Sequence, residues 1–88
     1  MTGSYSLIIK KSAERELRTV PKKDLSRIVD RVQGLAPNPR PPGSEKLSGE
    51  EWYRIRQGDY RIVYAIDDEA RIVEIVKIGH RREVYRKK

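Results

Sequence analysis

The sequence contains no cysteine and a single histidine. The first absence excludes a disulfide staple, a cysteine-based zinc site and a thiol nucleophile. The second excludes a histidine-rich metal site and the paired-histidine arrangement common among ribonucleases. Apolar runs are short, so no stretch reads as a membrane span. Met1-Thr2-Gly3-Ser4 carries neither a charged segment nor an apolar one, so no signal peptide is expected and the cytoplasm is the default location.

What the chain does contain is positive charge. Its 88 residues hold 20 Lys+Arg against 13 Asp+Glu, a net charge of +7. Residues 1–31 have eight bases and four acids; residues 32–76 have six bases and eight acids. Residues 77–88 concentrate six bases, Lys77, Arg81, Arg82, Arg86, Lys87 and Lys88, beside the single acid Glu83. A terminus this cationic suits RNA, DNA or an anionic lipid surface, or serves solubility alone. At this length one domain spanning residues 1–88 is expected, with a thin core. The apolar residues fall in ordered patterns, so the chain reads as folded despite its polarity.

Tyr5-Ser6-Leu7-Ile8-Ile9 reads as a first strand. Ser12 stands where an N-cap hydroxyl would accept a free backbone N–H, and Ala13, Leu17 and Val20 follow on one helical face. Pro21 ends that helix and suits the first turn of the next. Leu25, Ile28, Val29, Val32 and Leu35 mark a second amphipathic helix. Pro37, Pro39, Pro41, Pro42 and Gly43 then form an extended loop. Trp52–Gln57 alternates Trp52, Arg54 and Arg56 against Tyr53 and Ile55. Gly58-Asp59 is a turn, Tyr60–Ile66 a strand with Ile62, Tyr64 and Ile66 on one face and Arg61, Val63 and Ala65 on the other. Asp67-Asp68-Glu69-Ala70 is a second turn, and Arg71–Ile78 a third strand of the series, ended by Gly79. The predicted fold is α+β, in the order β-α-α-β-β-β. An antiparallel sheet carries a two-helix hairpin on one face, leaving the other face partly open.

On that open face the arginines gather. Arg54 and Arg56 are two residues apart, and Arg61 follows the turn on the neighbouring strand. Arginine forks bind phosphates and aromatic rings stack on bases, so the face suits single-stranded nucleic acid. Alternation of basic residues on any half-exposed sheet is the plainer reading. Trp52 and Tyr53 read as packing residues, and Asp67, Asp68 and Glu69 as a solvated turn.

Lys46-Leu47-x-Gly49, Tyr53-Arg54-Ile55-Arg56, Gly58-Asp59-Tyr60-Arg61-Ile62-Val63-Tyr64 and Ile78-Gly79-His80-Arg81-Arg82-Glu83-Val84-Tyr85 together resemble the RelE/ParE superfamily of bacterial toxin–antitoxin toxins, over the whole chain. The resemblance implies a RelE-like, microbial-ribonuclease-type fold. It implies a type II toxin that cleaves mRNA in the ribosomal A site and is held inactive by a cognate antitoxin in a hetero-oligomer, with no metal, no cofactor and no membrane. It also implies roles: Arg61 stabilises phosphate, Arg81 acts as general acid or charge stabiliser, and Tyr85 orients or stacks on RNA. Arg54 and Arg56 stand where the best-known member carries two lysines. Lys46, Lys77, Arg82, Arg86, Lys87 and Lys88 make up the expected RNA-binding set.

Cleavage by a 2′-hydroxyl needs in-line geometry, a neutralised phosphorane, removal of the 2′ proton and protonation of the 5′ oxygen. Guanidinium groups supply the charge but do not act as bases, because arginine keeps its proton. His80, adjacent to Arg81, is the candidate proton shuttle. Two other readings stand beside this one: a ParE-like toxin that inhibits DNA gyrase without cutting RNA, and a non-catalytic RNA-binding domain.

Overall fold

The structure, a computed structural model, describes residues 4–47 and 51–80. Strand β1 (Ser6–Ile9) runs into helix α1 (Lys11–Leu17) and helix α2 (Lys22–Gln33), followed by β2 (Glu45–Lys46), β3 (Trp52–Gln57), β4 (Tyr60–Asp67) and β5 (Ile72–His80). The five strands make one sheet, in the spatial order β1-β5-β4-β3-β2.

Helix α1 begins two residues earlier than a Ser12 cap would place it; Lys10 takes the cap position without a side-chain cap. The reason lies in the backbone. The Lys10 N–H donates to the Ile75 carbonyl (3.0 Å), and its own carbonyl accepts from Glu14 N–H (2.9 Å). Strand pairing thus passes directly into helix, with no turn for a capping serine to nucleate. Pro21 caps α2 rather than entering its first turn; its carbonyl takes the N–H groups of Asp24 and Leu25. Ala13, Val20, Ile28, Val32 and Leu35 from the helical half pack onto Ile55, Ile62, Tyr64, Val73, Ile75 and Ile78 of the sheet. Each fully buried isoleucine or leucine among them contributes about 1.5–3 kcal/mol relative to exposure.

The α+β order is as expected, with two additions. The sheet is mixed, because β1 pairs in parallel with β5, Ser6 opposite Ile72 through Ile9 opposite Ile75. The helix pair carries the chain from β1 to β2 at the opposite edge, and three antiparallel reversals, β2 to β3 to β4 to β5, then bring β5 back beside β1 and parallel to it. In addition, the proline loop leads into β2, whose Glu45 and Lys46 pair with Arg54 and Tyr53.

Strand β5 contains an irregularity. Val63 pairs with Lys77 and Tyr64 with Ile75, leaving Val76 as an extra residue. Such a bulge shifts the side-chain phase, so that Val73 and Ile75 on one side of it and Ile78 on the other all enter the core. Because β1 pairs only with residues 72–75, the rest of that edge of β5 meets α1. The Glu16 carboxylate there accepts from the Ile78 N–H (2.8 Å) and the Lys77 ammonium (2.9 Å).

Side chains hold the proline loop to the sheet. The buried Tyr64 hydroxyl donates to the Pro39 carbonyl (2.7 Å). Arg40 donates through both terminal nitrogens to Asp68 (3.2 and 3.0 Å) and through Nε to the Tyr53 hydroxyl (3.2 Å). The Tyr5 hydroxyl completes the cluster with a bond to Asp68 (2.7 Å). Arg40 holds the Asp68 carboxyl below its ordinary value, helped by Tyr5. The acidic turn is therefore an anchor for the loop.

Candidate nucleic-acid interface

The helices cover one face of the sheet, and no described helix lies on the other. Strand pairing arranges that second face in three rows. Arg56, Arg61 and Gly79 form the first. Arg54, Val63 and Lys77 form the second, with Glu45 of β2 opposite Arg54. Trp52, Ala65, Glu74 and Ile8 form the third. Positions two apart in a strand share a face, so Arg54, Arg56 and Arg61 meet as expected.

Arg61 is buried, with 4% of its surface exposed, and Gly79 across from it places no side chain on its flank. Arg54 is ion-paired with Glu45. That hydrogen bond and charge hold the Glu45 carboxyl below its ordinary value, and the charges of Arg56 and Arg61 push the same way. One carboxylate thus sits within the field of three guanidinium groups, a concentration of positive charge suited to a phosphodiester.

His80 is not on this face. It pairs with Tyr60 in the row beyond Arg61, and its ring meets the Tyr60 ring edge-on at 5.7 Å. Tyr60 packs against the core, and His80 shares a crevice with Glu16, Thr19 and Val20 of the helical layer. Lys46 pairs with Tyr53 and so alternates away from Arg54. Lys77 belongs to the second row by its backbone, but its ammonium is engaged by Glu16. Arg81, Tyr85, Arg82, Arg86, Lys87 and Lys88 lie outside the described residues.

Sequence reasoning did not single out Glu45. The signal was its position one residue before Lys46, but its face depends on a two-residue strand too short to show a period. Among the described residues no group of three His, Asp or Glu side chains is placed to hold a metal ion. No described helix is long and apolar enough to cross a membrane.

Comparison with known proteins gives consistent results. Residues 7–85 match the family described as ParE toxin of type II toxin–antitoxin system. The toxin RelE of Mycobacterium tuberculosis is 39% identical over 84 residues, which span 93% of this chain and 87% of the relative. The toxin RelG of the same organism is 32% identical over 87 residues, 94% of this chain and 98% of the relative. Among solved structures, a chain of a RelBE toxin–antitoxin complex from Mycobacterium tuberculosis superposes with a TM-score of 0.80 at 29% identity, covering 91% of this chain and 94% of that one.

Proposed function

Because the chain belongs to the ParE toxin family of type II toxin–antitoxin systems, within the RelE/ParE superfamily, we propose that it acts as a RelE-type toxin: a ribosome-dependent endoribonuclease that cuts mRNA in the A site and stops translation. The observation that carries this reading is the convergence of Arg54, Arg56 and Arg61 on one sheet face. A phosphodiester seated there has its equatorial oxygens beside fixed guanidinium groups. Such groups stabilise the extra charge of the phosphorane most strongly where water is excluded, and Arg61 is the one already withdrawn from water.

In the reaction, the 2′-oxygen bonds to phosphorus as its proton leaves, and the bond from phosphorus to the 5′-oxygen breaks. The products are a 2′,3′-cyclic phosphate and a 5′-hydroxyl. Glu45, ionised beside Arg54, takes the 2′ proton. Its basicity rises when phosphate charge offsets the arginines around it. Arg81 stabilises charge at the leaving oxygen, which takes its proton from solvent, and Tyr85 orients the strand. Metal and cofactor have no part in these steps. Dependence on the ribosome follows from its holding the mRNA in the in-line geometry, which saves an entropic cost the small protein alone would bear. A cognate antitoxin, present in the RelBE complex of the similar structure, shields the cationic face in the cytoplasm by offering acids to the arginines.

Primer extension on mRNA from stalled ribosomes tests the proposal, comparing the wild type with Arg61→Ala and Arg81→Ala. Position-specific cuts lost in both variants support it. Intact mRNA with arrested replication would instead indicate a ParE-like attack on DNA gyrase.

A further inference from the structure

The third row of the open face contains a residue that the proposed chemistry leaves unused. Trp52 is 38% exposed and stands outside the core cluster. Its neighbour Tyr53 faces the other way and stacks on Tyr64, ring centroids 5.9 Å apart. The two adjacent aromatics have therefore separated: one is structural, and the other is displayed beside the arginines.

The display is rigid. Trp52 pairs with Ala65 of β4, and its carbonyl accepts from the Leu47 N–H (2.9 Å) on the opposite side. A large flat side chain on a strand held at both edges loses little freedom when a ligand covers it. Ala65 contributes only a methyl group to the row. Next to it Ile8, Ile72 and Glu74 border a shallow depression of about 400 Å³, where Ile8 is 45% exposed.

Charge separates the face into two ends. Arg54, Arg56 and Arg61 occupy one; Glu74 and Asp67 flank the depression at the other. A phosphate is drawn to the first end and repelled from the second. An uncharged aromatic ring suffers no such repulsion. Two residues of strand span about 6.8 Å, roughly the length of one extended nucleotide. A strand whose phosphate rests on Arg54 therefore carries a base to Trp52.

We propose that Trp52 is the stacking platform for a nucleobase of the RNA strand whose phosphates Arg54 and Arg56 hold. The proposal rests on the reading of this face as an RNA site, and it adds a base subsite one nucleotide along β3 from the arginines. Stacking uses the ring face common to all bases, so the subsite fixes position without selecting sequence.

Trp52 is the sole tryptophan, so its own emission reports occupancy. The full chain is titrated with a 2′-O-methyl RNA hexanucleotide, which binds but lacks the attacking hydroxyl, and with the same strand carrying one abasic nucleotide at each position in turn. Affinities are read by anisotropy of the labelled strand. Binding quenches Trp52 emission, and Trp52→Ala weakens binding about 5- to 100-fold. Trp52→Phe, which keeps an aromatic ring in the strand and guards against misfolding of the alanine variant, lies between. One abasic position weakens wild-type binding by the same factor and leaves Trp52→Ala unaffected. Unchanged emission at saturation, or equal loss from that abasic position in wild type and variant, overturns the proposal. So does a Trp52→Ala effect confined to an acidic antitoxin peptide, which would make the row a protein contact. No ribosome enters the assay. Failure of mRNA cutting by the wild type therefore refutes the proposed activity, whereas failure here with cutting intact refutes only the base subsite.

Discussion

Replacing Tyr64 by phenylalanine removes one oxygen from the molecule. The ring stays in place, fully buried among Ile55, Ile62 and Ile75, so almost no cavity is created. What changes is the Pro39 carbonyl, itself buried, which loses the 2.7 Å bond from the hydroxyl. A buried acceptor left without a donor costs about 1–3 kcal/mol. In a domain of this size each kcal/mol lowers Tm by about 4–8 °C, so Tyr64→Phe lowers it by about 5–20 °C. The comparison variant is Tyr53→Phe. Its hydroxyl accepts from Arg40 at an exposed site, where water replaces the bond and Asp68 still holds the guanidinium. Its cost is within about 0.5 kcal/mol. Thermal melts followed by circular dichroism, with urea curves of unchanged slope, measure both. A Tyr64→Phe protein melting within 2 °C of wild type, with the threshold set at roughly a third of the smallest expected shift, refutes the reasoning. So does a larger loss from Tyr53→Phe. The effect reaches the site as well, because the loop that Tyr64 pins delivers Glu45 to Arg54.

Further expectations follow from the charges. Glu45→Gln removes a negative charge from the phosphate site while keeping an oxygen for Arg54, so RNA binding tightens while single-turnover cleavage slows; parallel loss of both would show that Glu45 only supports the strand. Arg56 and Arg61 lie directly opposite, and like charges so placed destabilise a sheet. Arg56→Gln accordingly raises Tm by about 1–5 °C while reducing cleavage by about 10²-fold, and a fall in both measurements would contradict this. Asp68 has a folded pKa lowered chiefly by Arg40, so its contribution is complete above the unfolded value of about 3.9 and disappears as pH falls through the lower folded one. Urea curves at a series of pH values should show Asp68→Asn less stable than wild type at neutrality, the gap closing in acid; a gap independent of pH refutes the anchor.

Much of this arrangement was legible in the chain. Ala13 and Leu17 in one helix and Ile28 and Val32 in the next recur at helical spacing, and Ile62, Tyr64 and Arg61 alternate at strand spacing, because each periodicity records which side meets the core. The parallel pairing of β1 with β5 left no local mark, since it joins segments more than 60 residues apart. His80 illustrates a different limit. Its nearness to Arg81 in sequence suggested a shared site, yet His80 turns to Tyr60 and the helical layer, away from the face on which its strand neighbour Gly79 lies opposite Arg61. Trp52 reads as a packing residue, although the alternation along its strand already sets it on the side of Arg54 and Arg56; its exposure on that side emerges only in the fold. Glu45 acquires meaning through Arg54, a neighbour the chain reaches only after the proline loop has turned back.

The extra residue in β5 has a consequence for how such a gene can change. Val76 lets the strand keep apolar side chains inward on both sides of one point. Loss of that single codon would remove the bulge without exchanging the faces. Lys77 would follow Ile75 in a regular ladder, with Ile78 still inward and Gly79 still opposite Arg61. The strand therefore carries one residue of slack at this place, and the two sides of the sheet keep their occupants when it is lost.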